Sequence, residues 1–321
     1  MGFFKWLAGL FKKQKPDPIV PPIVTPPTLP PIGGPMAKKA LIIGINKYPT
    51  MPLAGCVNDA ANMANLLMQN YGFSSSDICL LLDGQATTAN ILSKLDWLVD
   101  CKPGDHIVFH YSGHGAQAPT GNHLEPDGMA EVICPVDFDW SPARMIIDKQ
   151  FVEIFKRIPA GVVFNWASDS CNSGDLDRNI MRKPKTTITG RPCWLSILWD
   201  KVCFWKKPTT MTAKTMRPPV HIAIAIGKAK AKGCRFKGMV NGRLDVGFVS
   251  GCKSNQTSAD TYMDGQPCGA LTHFLIKNLK ANPTMPLTNL VAAINNDLSR
   301  AGFSQQPQAE GARVNKPWLI A

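Results

Sequence analysis

Two glycine-flanked stretches carry the side chains most able to do chemistry together: His110-Tyr111-Ser112-Gly113-His114-Gly115 and Asp169-Ser170-Cys171-Asn172-Ser173-Gly174. A free thiol ionises near pH 8.5, so at neutral pH it needs an imidazole to take its proton before it becomes a strong nucleophile. His114 as base and Cys171 as nucleophile would supply that pair. The backbone amides of Gly115 and Cys171 would donate to an oxyanion, and the glycines around His114 would let a substrate backbone approach. By strand alternation Ser112 and Asp169, each two residues before a reactive residue, share a pocket wall. A carboxylate there favours a cationic substrate side chain.

Such a pair works only if rigid elements hold it. Apolar runs precede both stretches, at 105–109 and 161–164, and read as buried parallel strands, whose carboxyl ends gather ligand chemistry. The surrounding pattern alternates strand and helix. Strands are expected at 39–45, 78–82, 106–111, 132–134, 162–166, 246–250 and 318–320. Helices are expected at 55–71, 87–101, 148–157, 265–279 and 287–300, the first burying Val57, Ala60, Ala64 and Leu67. This alternation predicts an α/β fold, a mostly parallel sheet with helices on both faces.

Charge divides sharply along the 321 residues. Residues 41–177 hold seven Lys and Arg against sixteen acids, whereas residues 178–243 hold sixteen against one. The region bearing both motifs is therefore acidic, which suits a cationic substrate and argues against nucleic acid as partner. Ten cysteines include no C-x-x-C pair, so neither a zinc site nor a thioredoxin-type centre is indicated. Reduced, mostly buried thiols and the lack of a secretory pattern imply a cytoplasmic setting.

Residues 1–15 are amphipathic and basic, with Phe3, Phe4, Leu7 and Phe11 on one face. They read either as a helix docking at a membrane surface or on a partner, or as a frayed solvated end. Residues 16–37 form a proline-rich linker with nine prolines by residue 35. The folded part then divides into 38–177, with the catalytic pair, a basic insert at 178–243, and 244–321. Within the insert an apolar island at 193–199 has helical spacing, and 221–226 alternates like a strand. The insert otherwise reads as a solvated loop.

Tyr111 to Gly115 and Asp169 to Gly174 resemble the metacaspases, caspase-like cysteine peptidases of clan CD, family C14, of the type I kind. The stretches 40–48, 53–60, 134–137, 250–260 and 306–308 extend the resemblance over roughly 38–321, apart from the insert. It implies a caspase-like fold and an endopeptidase cutting after Arg or Lys through a thioester, with His114 and Cys171 as its dyad. It also implies an acidic pocket of Asp59, Ser112 and Asp169, completed by an acid near 254–260. Ser254 stands where that acid is expected, which leaves Asp260. Metacaspases tend to be monomeric. Many use calcium held by aspartates, but Ala130 and Lys149 replace two ligands, leaving Asp148 and Asp177 as residual candidates. The expectation is therefore no required cofactor and weak calcium dependence. Asn172 replaces a histidine common after the nucleophile. A protease selecting Lys or Arg and carrying sixteen cations after its nucleophile loop is also expected to cut itself within 178–243. The alternatives are a catalytically weak caspase-like scaffold and a membrane-surface effector recruited by residues 1–15.

Overall fold

The computed structural model describes residues 36–119, 129–171, 211–216, 218–219, 246–253 and 256–319. The chain separates into Met1–Gly34 and Pro35–Ala321, and all described residues lie in the second unit. Asn172, Asp177, the 193–199 island and the expected 221–226 strand fall outside them.

In chain order, β1 (Lys38–Gly44) leads to α1 (Cys56–Asn70), β2 (Ile78–Leu82), α2 (Thr88–Val99) and β3 (His106–Ser112). The pair β4 (Gly115–Pro119) and β5 (Met129–Ile133) follows, then β6 (Ile146–Ile147), α3 (Asp148–Phe155) and β7 (Val163–Asp169). The rest comprises β8 (Thr212–Ala213), β9 (Val246–Ser250), β10 (Ala259–Met263), β11 (Gln266–Gly269), α4 (Ala270–Ala281), α5 (Leu287–Arg300) and β12 (Gln308–Glu310). Six strands form the main sheet in the order β12-β9-β7-β3-β1-β2. All its pairings are parallel except that of β12 with β9.

The expected α/β architecture is present, and its physical cause is visible in β3, where all seven residues are buried. Covered on both faces, the strand centres on the apolar run Ile107-Val108-Phe109, with the polar His110 and Ser112 toward its carboxyl end. One face packs Leu41, Phe109, Phe151 and Trp166 together, and the other packs Ile42, Val108, Met63 and Leu275. Helix α1 buries Cys56, Asp59, Ala60, Met63, Ala64, Leu66 and Leu67. Val57, expected on that face, is only half-buried. The Thr87 hydroxyl accepts the Asn90 N–H at 3.3 Å and starts α2 as a side-chain cap.

Two expectations are corrected. Residues 266–269, expected in a helix from 265, form β11, hairpinned to β10 through Asp264 and Gly265 at φ 50° and 82°. Positive φ at both central residues is the turn that matches strand twist. The closing strand is β12, not 318–320. Trp318 and Leu319 lie in bends, and Trp318 is buried because its indole N–H donates to the Gly247 carbonyl at 3.0 Å while its rings fill the core. Two small antiparallel sheets, β4-β5-β6 and β11-β10-β8, were not foreseen.

Candidate active site

The register of the main sheet aligns the two reactive residues. Ser112 on β3 pairs with Asp169 on β7; two residues further along both chains stand His114 and Cys171. Parallel neighbours lie about 4.8 Å apart, so both leave the sheet at the same point. His114 is gripped by its backbone. Its N–H donates to the Tyr48 hydroxyl at 2.9 Å, and its carbonyl accepts the Tyr111 hydroxyl at 2.7 Å. A Cβ added at Gly113 would meet those two hydroxyls at 2.6 and 2.7 Å. Gly113 therefore makes room for the tyrosines rather than for a substrate backbone, a correction to its expected role.

The imidazole is oriented by one carbonyl. Nε2 of His114 donates to the Met51 oxygen at 2.7 Å, because a carbonyl can only accept. In the neutral ring Nδ1 then keeps its lone pair; it is buried without a hydrogen bond of ordinary geometry, and the Lys214 backbone lies beside the ring. Met51 holds its carbonyl there from a left-handed backbone, φ 58°, which costs a non-glycine residue about 1 kcal/mol or more. Burial lowers the His114 pKa to about 4, against the opposing pull of the Met51 carbonyl.

The pocket beside this pair is occupied by the chain itself. Lys214, from the basic insert, is 0% exposed. Its ammonium lies 2.8 Å from Ser112 Oγ, 3.2 Å from Asp59 Oδ2 and 3.2 Å from Asp169 Oδ2. Three acceptors meet the three donors of an ammonium. Its carbonyl oxygen accepts the Gly115 N–H at 3.1 Å and the Cys171 N–H at 3.2 Å, the two amides singled out as oxyanion donors. The insert is thus no solvated loop at this position.

Each acid is set by its own partners. Asp59, in the first turn of α1, takes the Ser112 hydroxyl at 2.6 Å and the Gly269 N–H at 2.9 Å. Asp169 takes the Ser258 hydroxyl at 2.6 Å and the Thr272 hydroxyl at 2.8 Å. Burial raises the pKa of Asp59 to about 6, against the Lys214 charge. For Asp169 burial pushes the same way, but Lys214 and the Ser258 and Thr272 hydrogen bonds prevail and hold it below the usual range. Burial lowers the pKa of Lys214, yet Asp169, Cys56, Asp59 and Asp260 more than offset that and raise it.

Asp260 is corrected. Its oxygens accept the Ala54 and Gly55 amides at 2.7 and 2.9 Å, so it anchors the start of α1 and acts on Lys214 only through space. His110 is buried, with Nε2 3.3 Å from the Thr272 hydroxyl. Cys171 Sγ rests on the Ser258 peptide. It receives the Ser258 N–H and lies 3.4 Å from the Ser258 carbonyl.

Sequence reasoning missed Lys214, Gly269 and the β10 hairpin that carries Gly269. A Cβ at Gly269 would collide with Asp59, Asp169 and the Lys214 ammonium, so the smallest residue forms the pocket floor. The only local sign was the Asp264-Gly265 pair, a strong hairpin signal.

The calcium ligands do not fit. Ala130 lies on β5 opposite Ala118 and offers no side-chain oxygen. Asp148 Oδ1 accepts the Lys149 N–H at 2.9 Å, and that lysine brings a positive charge where the metal wants acids. Among the described residues no three His, Cys, Asp or Glu side chains are grouped to hold a metal; Asp177 lies outside them.

Comparison with known proteins gives a family and a fold. The family described as metacaspase, peptidase C14 domain, matches residues 38–177. Metacaspase-1 of Coccidioides immitis is 35% identical over 292 residues, covering 84% of this chain and 60% of its own. Metacaspase-1A of Aspergillus fumigatus is 35% identical over the same 84% and 68% of its length. Among solved structures, a Geobacter sulfurreducens protein superposes with TM-score 0.58 at 24% identity, covering 88% of this chain and 99% of that one. Caspase-1 of Spodoptera frugiperda superposes with TM-score 0.51 at 12% identity over 86% of each chain. These two share the fold.

Proposed function

The chain belongs to the metacaspase family, and from that premise we propose that it is a cysteine endopeptidase selective for lysine or arginine whose first substrate is its own 214–215 bond. One observation carries the proposal. Lys214 places its ammonium between Asp59 and Asp169 while its carbonyl meets the Gly115 and Cys171 amides. A substrate ready for attack is held in this way.

In the reaction, Nδ1 of neutral His114 takes the Cys171 proton as the thiol turns from the Ser258 peptide toward the Lys214 carbonyl carbon. The carbon–sulfur bond forms, and the carbonyl electron pair moves onto oxygen, held by the two amides. Collapse breaks the carbon–nitrogen bond, and the His114 imidazolium protonates the departing Thr215 amine. Water then attacks the thioester and yields a proton to His114. The carbon–sulfur bond breaks, and the thiolate recovers its proton. The products are a Lys214 carboxylate and a Thr215 amine.

The acidic pocket supports cleavage after Lys or Arg and not after Asp. Until Lys214 leaves, the pocket is closed to other peptides. No step runs through calcium, and activation by it is expected to be weak. Mass spectrometry of wild type beside Cys171→Ala tests self-cleavage: termini at 214 and 215 are expected in wild type alone. Fluorogenic Lys, Arg and Asp substrates, each with and without calcium, test the rest. A wild type found only as the uncut chain, hydrolysis after Asp, or steep activation by sub-millimolar calcium would each overturn the corresponding part.

A further inference from the structure

We propose that this site reads its substrate on the leaving-group side, through an apolar subsite for the second residue after the scissile bond, the place held here by Met216. The inference rests on the reading of 214–215 as the bond presented for cleavage. Burial along the bound segment is lopsided. Met211 is 40% exposed and Thr212 is exposed, whereas Lys214, Thr215 and Met216 are all buried, Met216 at 6%. A side chain left in water contributes little to selection, and one removed from water contributes most. Selection therefore concentrates on the lysine and on the two residues after it.

The downstream residues are also held in register by the group that serves the carbonyl. Gly115 donates its N–H to the Lys214 oxygen at 3.1 Å and accepts the Met216 N–H at 2.9 Å, a parallel bridge facing Thr215. Seating Met216 thus fixes where the scissile carbonyl stands relative to its amide donor. The Met216 side chain is part of the large buried core cluster that also holds Tyr48, Tyr111, Ala116 and Cys134. The Thr50 hydroxyl lies 3.8 Å from its sulfur. An apolar side chain with no branch at Cβ, such as methionine or leucine, fits this place. A carboxylate would be stripped of water there.

The test uses the self-processed full-length protein with two internally quenched peptides, Thr-Ala-Lys-Thr-Met-Ala and Thr-Ala-Lys-Thr-Asp-Ala, and the coumarin amide of Thr-Ala-Lys. The methionine peptide is expected to exceed the aspartate peptide in kcat/KM by about tenfold to a hundredfold. Replacing the first threonine by aspartate should change kcat/KM by less than about threefold, in keeping with exposed Thr212. Equal kcat/KM for the methionine and aspartate peptides, with the coumarin amide still hydrolysed, overturns the subsite alone. If none of the substrates is hydrolysed, the endopeptidase reading falls and the subsite with it. Within the chain, Met216→Asp should slow self-cleavage at least tenfold while Met216→Leu stays near wild type; equal rates for the two would also overturn it.

Discussion

Asp59 and Asp169 face the same ammonium yet titrate in opposite directions. Asp169 has two hydroxyl donors beside the lysine and stays ionised, whereas Asp59 sits at about 6 because burial outweighs its partners. As pH falls through about 6, Asp59 takes a proton and the pocket loses one of its two negative charges. The kcat for a lysine peptide, which reports the occupied site, should therefore decline below about pH 6. The kcat/KM limb should lie higher, since without a bound cation only hydrogen bonds hold the two acids down. His114, at about 4, supplies no limb until well below that. Asp59→Asn should abolish the limb near 6 while reducing kcat/KM for lysine by about a hundredfold, a buried charge-assisted contact being worth roughly 3 kcal/mol. A limb that survives in the variant would refute the assignment. Asp169 was legible before the structure because it sits two residues before a reactive residue, whereas Asp59 was legible only through the family resemblance. Lys214 was not, because its partner Asp59 is 155 residues away and nothing local separates it from fifteen other cations in the insert.

At the scale of elements, β8 is two residues long and lies against β10 as an added strand. A strand so short gains little from its own pairing; Lys214, immediately after it, locks it in place through charge. Removing the cation should leave two buried carboxylates with hydrogen-bond donors but no opposite charge. In a Cys171→Ala background, which prevents cleavage, Lys214→Ala should lose about 3 kcal/mol of stability at pH 8. The loss should shrink by pH 5. With the lysine gone both acid pKa values rise, and a raised acid pKa means stability is lost as pH climbs through it. Urea midpoints at the two pH values check this, and an equal loss at both would refute it. The same contrast in range explains what the sequence revealed of the fold. The strands of the parallel sheet are continuous apolar runs and could be read locally. The small antiparallel sheets could not, because β8 owes its existence to a partner 46 residues on and β6 is two residues long. Trp318 misled for a related reason, since an apolar run records burial without saying whether a ladder or a side-chain hydrogen bond accompanies it.

For the molecule as a whole, cutting at 214–215 need not part it. The site draws on both products: Asp59, Ser112, His114 and Asp169 come from residues 1–214, while Ser258, Gly269 and Thr272 come from 215–321. Between these pieces run the five-residue parallel pairing of β7 with β9 and the packing of α4 against α1 and β7. Phe248 of β9 also lies 4.4 Å, ring to ring, from Trp166 of β7. None of these contacts involves the scissile bond, so cleavage removes a tether and leaves the buried sheet. The self-cleaved protein should elute from a sizing column as one species of about 35.0 kDa, and denaturing gels of that peak should show both fragments. Met1–Gly34 forms a separate unit, so deleting residues 1–35 should leave self-cleavage and lysine-peptide hydrolysis within about twofold. The same deletion should abolish any cosedimentation of the chain with anionic vesicles. Fragments that part in native buffer would mean that the sheet is not the bond between them. Hydrolysis lost with residues 1–35 would mean that the activity depends on the first unit after all.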